Sequence, residues 1–281
     1  MYTIEACAKI NLYLDITGRR ADGYHTLETV MQSVSLRDTV QVGVCAGNGI
    51  VLHCDDPLIP ADERNIAYKA AERYLAAAGT SAQIMIDIQK RIPSGAGMGG
   101  GSADAAAVLF VLDRHYGRVS QDKLYDIALS LGADVPFCLA GGTKVCKGIG
   151  EEMSEAPEMS GYSVLIVMPD FTCPTGEAYS RYDRNPVPAK NGLGEFCTAL
   201  GKGCFADKMY NVFEVLYEDK RIENIKNELI SAGALGAMLT GSGAAVFGIF
   251  ENDGAAAEAA KRFTAYFTSV CHPMVNNLII S

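Results

Sequence analysis

Five glycines occupy the seven positions 95–101, between Pro93 and Ser102, and a helix-forming alanine run follows at once. Without Cβ atoms such a backbone takes positive φ and approaches a ligand closely, while a helix opening near Ser102 aims unpaired N–H groups at an anion. Polyphosphate is the guest this pattern suits. Context decides which phosphate loop it is. Gly95, Gly97 and Gly100 satisfy G-x-G-x-x-G, but a dinucleotide fold needs an acidic residue about twenty positions on, at the end of a following strand. Asp113 has the spacing and falls inside the helix instead. A Walker loop ends in Gly-Lys-Ser or Gly-Lys-Thr, whereas Gly101 is followed directly by Ser102. The Val-Ala-Ile-Lys, His-Arg-Asp and Asp-Phe-Gly segments of protein kinases do not occur.

The loop needs a strand to enter it and a helix to leave it. Alternation over 83–88 reads as the strand, and the alanine- and leucine-rich run 103–112 as the helix. A flexible linker would instead be polar on both sides. Further strands are expected at 2–7, 10–17, 27–36 and 39–44, with a helix at 66–78. Leu124, Ile127, Ala128 and Leu131 keep helical spacing up to Gly132, where a helix C-terminus puts glycine, and Ala133-Asp134-Val135-Pro136 follows. The polar, acidic stretch 148–161 is the expected crossover between two domains, divided as 1–154 and 155–281. Beyond it a strand is expected at 162–168, helices at 211–217, 222–232 and 255–267, two strands within 234–250 around Thr240-Gly241-Ser242-Gly243, and a last strand at 275–280.

Composition sets bounds on function. At 281 residues, 49% of them hydrophobic, the chain has material for two packed domains. Its 24 Lys and Arg against 33 Asp and Glu leave a net charge of -9, which argues against a nucleic-acid or anionic-membrane surface and asks for a local basic pocket if the substrate is an anion. Nine cysteines stand singly, with no Cys-x-x-Cys pair, so neither a metal site nor a disulfide framework is expected. The N-terminus lacks the basic and apolar regions of a leader, and no apolar run reaches spanning length. A reduced, cytoplasmic protein is the simplest expectation.

Pro93-x-Gly95-Ala96-Gly97-x-Gly99-Gly100-Gly101-Ser102 resembles the phosphate loop of the kinases named for galactokinase, homoserine kinase, mevalonate kinase and phosphomevalonate kinase, the GHMP family. Ala8-Lys9-Ile10-Asn11 matches that family's lysine-bearing N-terminal segment, and Leu239-Thr240-Gly241-Ser242-Gly243-Ala244 its second glycine turn. The resemblance implies an α+β, two-domain GHMP kinase fold, with a ribosomal-protein-S5-domain-2-like ATP-binding domain and a C-terminal ferredoxin-like substrate domain. It implies ATP with Mg²⁺, phosphoryl transfer to a small molecule, and no nucleic acid or membrane as partner. The run from Gly18 through Gly23-Tyr24-His25 to Gln32, with Leu131-Gly132-Ala133-Asp134-Val135-Pro136, resembles the branch whose acceptor is the cytidine diphosphate of a methylerythritol. That branch phosphorylates a tertiary hydroxyl in the non-mevalonate isoprenoid route. Many relatives have Ser-Ser-Asn where this chain has Ser102-Ala103-Asp104, so contacts of the second serine do not carry over.

The resemblance also suggests roles. Phosphoryl transfer needs charge neutralisation and a group that orients or deprotonates the attacking hydroxyl, and Lys9 with Asp134 fits both. By its position alone Asp134 could simply cap the following helix, and Lys9 could be a solvated edge-strand lysine. Ser102 is either an N-cap or the hydroxyl that meets Mg²⁺ on the β and γ phosphates. Tyr24 and His25 sit in a turn that could be plain surface. In the similar enzymes the pair holds the cytidine, with Tyr179 as the opposite aromatic wall, Thr175 a nearby contact, and Asn11 at the sugar-alcohol end. Gly241 and Gly243 would bring backbone amides to the substrate, unless their turn only closes a hairpin.

Overall fold

The computed structural model describes residues 1–217 and 219–280. The longest elements are β1 (Tyr2–Arg19) and β2 (His25–Cys45), an antiparallel pair. Each was expected as two strands. Register shifts at Cys7/Ala8, Asn11/Tyr13 and Ile16/Gly18 break the alternation without ending the ladder, as bulges do. β3 (Gly49–Cys54), whose run Ile50-Val51-Leu52 shows no apolar/polar alternation in sequence, is followed by α1 (Ile66–Ala77) and by β4 (Gln83–Gln89), parallel to β3. A helical crossover is what a parallel pair requires. Asn65 caps α1 by accepting from the Ala67 N–H at 2.9 Å.

Next come α2 (Gly100–Tyr116), α3 (Gln121–Leu131) and α4 (Val135–Ala140). Ala103, Ala105, Ala106 and Ala107 on α2 are all buried, so the helix backbone lies close against its neighbours. β5 (Thr143–Gly148) pairs with β2 and with β6 (Glu152–Glu155). The acidic stretch expected only as a crossover therefore includes a strand of the first sheet.

β7 (Ser163–Met168) starts a second sheet with an apolar run buried along nearly its whole length. α5 (Thr175–Arg184) and α6 (Leu193–Gly201) follow, both without a counterpart among the expected helices. Then come β8 (Tyr210–Asn211), α7 (Val212–Leu216), α8 (Lys220–Ser231), β9 (Gly236–Leu239), β10 (Val246–Phe250) and α9 (Asp253–Ala260). The helix expected to reach 267 stops at Ala260, and β11 (Phe267–Cys271) takes up the chain. The short β12 (Pro273–Met274) and β13 (Leu278–Ile280) end it.

The four-stranded sheet runs β11-β7-β10-β9, entirely antiparallel. The other has nine strands around the path β13-β1-β2-β4-β3. β8, β12 and β13 come late in the sequence yet pair with β1 or β2, so the C-terminal half is tied back into the first sheet. The fold is α+β, with both glycine turns where the two sheets meet.

Candidate active site

The first glycine loop has the backbone its glycines allow. Gly95, Gly97 and Gly99 have φ of 69, 73 and 72°, and Gly99 is the N-cap of α2. The helix begins at Gly100, so Ser102 lies within its first turn and is not the cap. The Ser102 Oγ faces Gly132, where an added Cβ would lie 3.9 Å from it. Pro93, Gly95, Ala96, Gly97, Gly99, Gly100 and Gly101 line a cavity of about 320 Å³, together with Pro60, Arg64, Asn65 and Ile66.

The second glycine turn braces the first. Ala244 N–H donates to Gly95 O and Ala245 N–H to Ala96 O, both at 3.3 Å. A Cβ on Gly97 would collide with the Thr240 carbonyl oxygen, and one on Gly241 would lie 2.8 Å from Gly97 O. Only glycine permits that approach.

Lys9 projects from the middle of β1 and is almost wholly buried, which disposes of the solvated edge-strand reading. Its Nζ lies 3.4 Å from Asp134 Oδ2 and donates to Asn11 Oδ1 at 2.9 Å. Asn11 Oδ1 also accepts from Gly241 N–H at 3.1 Å, and Asn11 Nδ2 donates to Thr29 Oγ1 at 2.9 Å. Thr29 in turn donates to the Tyr13 carbonyl at 2.6 Å. Lysine, asparagine and second glycine turn are thus one hydrogen-bonded unit. Asp134 occupies the N-cap position of α4, but its side chain makes no capping bond. Pro136 at the second helical position has no N–H to cap, and the carboxylate turns toward Lys9. Gly99 keeps this pair open to the loop, because a Cβ there would sit 3.2 Å from Lys9 Cγ and 3.8 Å from Asp134 Oδ2.

Lys9, Asn11, Thr29, Asp134, Thr175, Tyr179, Gly241 and Ser242 line a second cavity of about 240 Å³. Gly97 and Gly99 line both cavities, so the two meet beside the Lys9–Asp134 pair. Size alone does not pick out this place. A larger cavity of about 770 Å³, bordered by Gly142, Tyr162 and His272, is lined by neither glycine turn and does not include the Lys9–Asp134 pair.

The remaining expected contacts are placed less directly. Tyr24 is 62% exposed, while His25, not Tyr24, stacks on Tyr179 at 4.9 Å between ring centroids and 22° between planes. Tyr24, His25 and Gly243 are not among the residues lining the second cavity. Thr175 Oγ1 lies 3.0 Å from Ser242 Oγ, joining the start of α5 to the second glycine turn.

A buried ionic cluster under the loop has no counterpart in the sequence expectations. Lys90 Nζ donates to Asp38 Oδ2 at 2.5 Å and to Asp104 Oδ2 at 2.7 Å. Asp38 Oδ1 accepts from the N–H groups of Arg91 and Ile92, fixing the chain as it enters the loop. One cation faces two carboxylates out of water. Burial raises the Asp104 carboxyl well above the usual range, with Lys90 opposing and Asp38 adding to the shift. The departure at Asp104 from the pattern the resemblance implies is visible in the sequence, but its distant partner Asp38 is not.

Residues 65–142 match the family model for the N-terminal domain of GHMP kinases, and residues 190–269 the model for the C-terminal domain. The chain belongs to the GHMP kinase family. It is 42% identical over 255 residues to the 4-diphosphocytidyl-2-C-methyl-D-erythritol kinase of Clostridium botulinum, covering 89% of this chain and 91% of that protein. The protein of the same name from Acetivibrio thermocellus is 42% identical over 261 residues, covering 89% and 90%. A crystal structure of 4-(cytidine 5'-diphospho)-2C-methyl-D-erythritol kinase superposes with a TM-score of 0.82 at 31% identity, covering 97% of this chain and all of that one.

Proposed function

We propose that this chain transfers the γ-phosphoryl group of ATP to the 2-hydroxyl of 4-diphosphocytidyl-2-C-methyl-D-erythritol, a step of the non-mevalonate route to isoprenoid precursors. The observation that carries the chemistry is the Lys9–Asp134 pair at 3.4 Å, beside the two glycines shared by both cavities. The substrate assignment rests on relatives of that name at about two-fifths identity over most of the chain.

In this reading residues 93–102 hold the polyphosphate of ATP by backbone N–H groups and the N-terminus of α2. The acceptor hydroxyl enters from the second cavity and donates its proton toward Asp134. Lys9 offsets the negative charge that develops on the attacking oxygen, in a position where little water screens it. Asn11 holds Lys9 by accepting from its ammonium and faces the sugar-alcohol end of the acceptor. Thr175, Gly241 and Gly243 bring the second half of the chain to the same substrate, and Tyr24, His25 and Tyr179 form the base site. The Ser102 hydroxyl, on the first turn of α2, fits a Mg²⁺ held mainly by phosphate oxygens and water, the habit of this ion. Bound there it would neutralise charge on the β and γ phosphates.

All nine cysteines are free, which supports a reducing, cytoplasmic setting. No described helix is long and apolar enough to cross a membrane. The domain division at 154/155 is part of the same proposal, with the last strands crossing back to the first sheet. ADP release should be measured with the cytidine acceptor, mevalonate and homoserine in turn. Strong turnover with the first alone is expected; turnover with mevalonate or homoserine alone sinks the assignment.

A further inference from the structure

Helix α5 grips His25 from three sides. Tyr179 stacks flat on the imidazole, Tyr182 meets its edge at 5.6 Å and 89°, and Asp183 Oδ1 lies 2.8 Å from Nε2. The three grip residues stand at i, i+3 and i+4, one face of the helix. Asp183 Oδ2 also lies 3.6 Å from Arg19 Nη1. Arg19 and His25 are paired across β1 and β2, at the two ends of the turn that carries Tyr24. A single carboxylate thus fastens both ends of the 20–24 turn to the helix that supplies the other aromatic wall. Ordinary surface ion pairs contribute little, but the His25 side chain is only 8% exposed, so this one is half withdrawn from water.

We propose that Asp183 is a positioning residue that sets the tautomer of His25 and thereby the preference for cytosine over uracil in the acceptor. This rests on the function proposed above. An ionised carboxylate only accepts, so the neutral imidazole bound to it carries its proton on Nε2 and presents Nδ1 as a lone-pair acceptor. Among the described residues Nδ1 has no hydrogen-bond partner within the chain. A cytosine offers an amino donor at its 4-position; a uracil offers a carbonyl oxygen there, which an acceptor nitrogen repels. Asp183 acts through this nitrogen without touching the substrate.

Steady-state kinetics on Asp183→Asn test it, using the cytidine acceptor and its uridine counterpart. The amide can turn its NH2 toward Nε2 and release the tautomer. The expected result is a rise of about tenfold in KM for the cytidine acceptor, the size of one lost hydrogen bond to a charged or polar partner. KM for ATP should hold within about twofold, and the cytidine preference should narrow. Equal losses on both acceptors, or an unchanged preference, overturn the proposal by making Asp183 a plain structural tie. Imidazole ¹⁵N spectra of the wild type provide a check that does not need the variant to fold or the substrate to be right. They should show the Nε2–H tautomer at His25, and a dominant Nδ1–H form overturns the proposal. A wild type that ignores the cytidine acceptor while showing the expected tautomer overturns instead the functional assignment and, with it, the base preference.

Discussion

The two sides of the Lys9–Asp134 pair are built differently. On the proposed nucleotide side, nearly every expected contact comes from ten consecutive residues, and the groups proposed to bind are backbone N–H. On the acceptor side, Asn11 and Thr29 come from the first sheet, Asp134 from the start of α4, Tyr179 from α5 and Gly241 from the second glycine turn. Here the groups proposed to bind are mostly side chains, with Gly241 offering backbone. A backbone cradle tolerates changes of residue type as long as φ stays available; a side-chain pocket tolerates changes of backbone as long as the groups still meet. The two sides should therefore fail in different ways.

Asp134→Asn strikes the point where the sides join and should have the largest effect. A fall in kcat of about 10² to 10⁴ is expected, with ATP binding retained, and near-normal kcat would reduce the aspartate to a helix-end residue. Lys90→Met should destabilise the protein by about 3 to 5 kcal/mol, read as a shift in the denaturation midpoint, because two buried carboxylates lose their cation. A neutral result would show that the cluster under the nucleotide side is not needed to hold it.

Gly97→Ala tests the backbone side directly. Strain at positive φ, about 1 to 3 kcal/mol, adds to the collision with Thr240, so both stability and ATP binding should suffer. Loss of acceptor binding alone would break the division between backbone and side-chain sites. Tyr179→Ala tests the side-chain side: it removes the ring on which His25 stacks and one aromatic wall of the proposed base site, so KM for the cytidine acceptor should rise on the order of tenfold while KM for ATP stays put. Tyr24→Ala should follow the same pattern with a smaller rise, given the exposure of its ring. Equal changes for both substrates would remove the stacking model.

Legibility in the sequence follows the same division. The loop and the helix behind it could be read because their signal is local: glycine density, a strand before, alanines after. α5 could not, since it is mostly polar and buries only Ala178 fully; α6 buries Leu193, Phe196, Ala199 and Leu200, but over only nine residues that include Gly194 and Gly201. β3 exposes alternate residues that include Val51, which hides its pattern. The run to 267 looks helical in composition, yet pairing with β7 makes 267–271 a strand.

The sequence by itself determined that a glycine-rich loop stands between a strand and a helix, where it lies, and that a lysine and an aspartate of the kinds phosphoryl transfer needs accompany it. Local backbone freedom and helix propensity decide these things, and both are properties of adjacent residues. Only the tertiary structure decided that Asp134 turns from its helix toward Lys9, that Asn11 joins the lysine to the second glycine turn, and that His25 rather than Tyr24 covers Tyr179. Those outcomes depend on contacts between residues more than a hundred positions apart, where burial and hydrogen bonding select one partner among many that composition leaves equal.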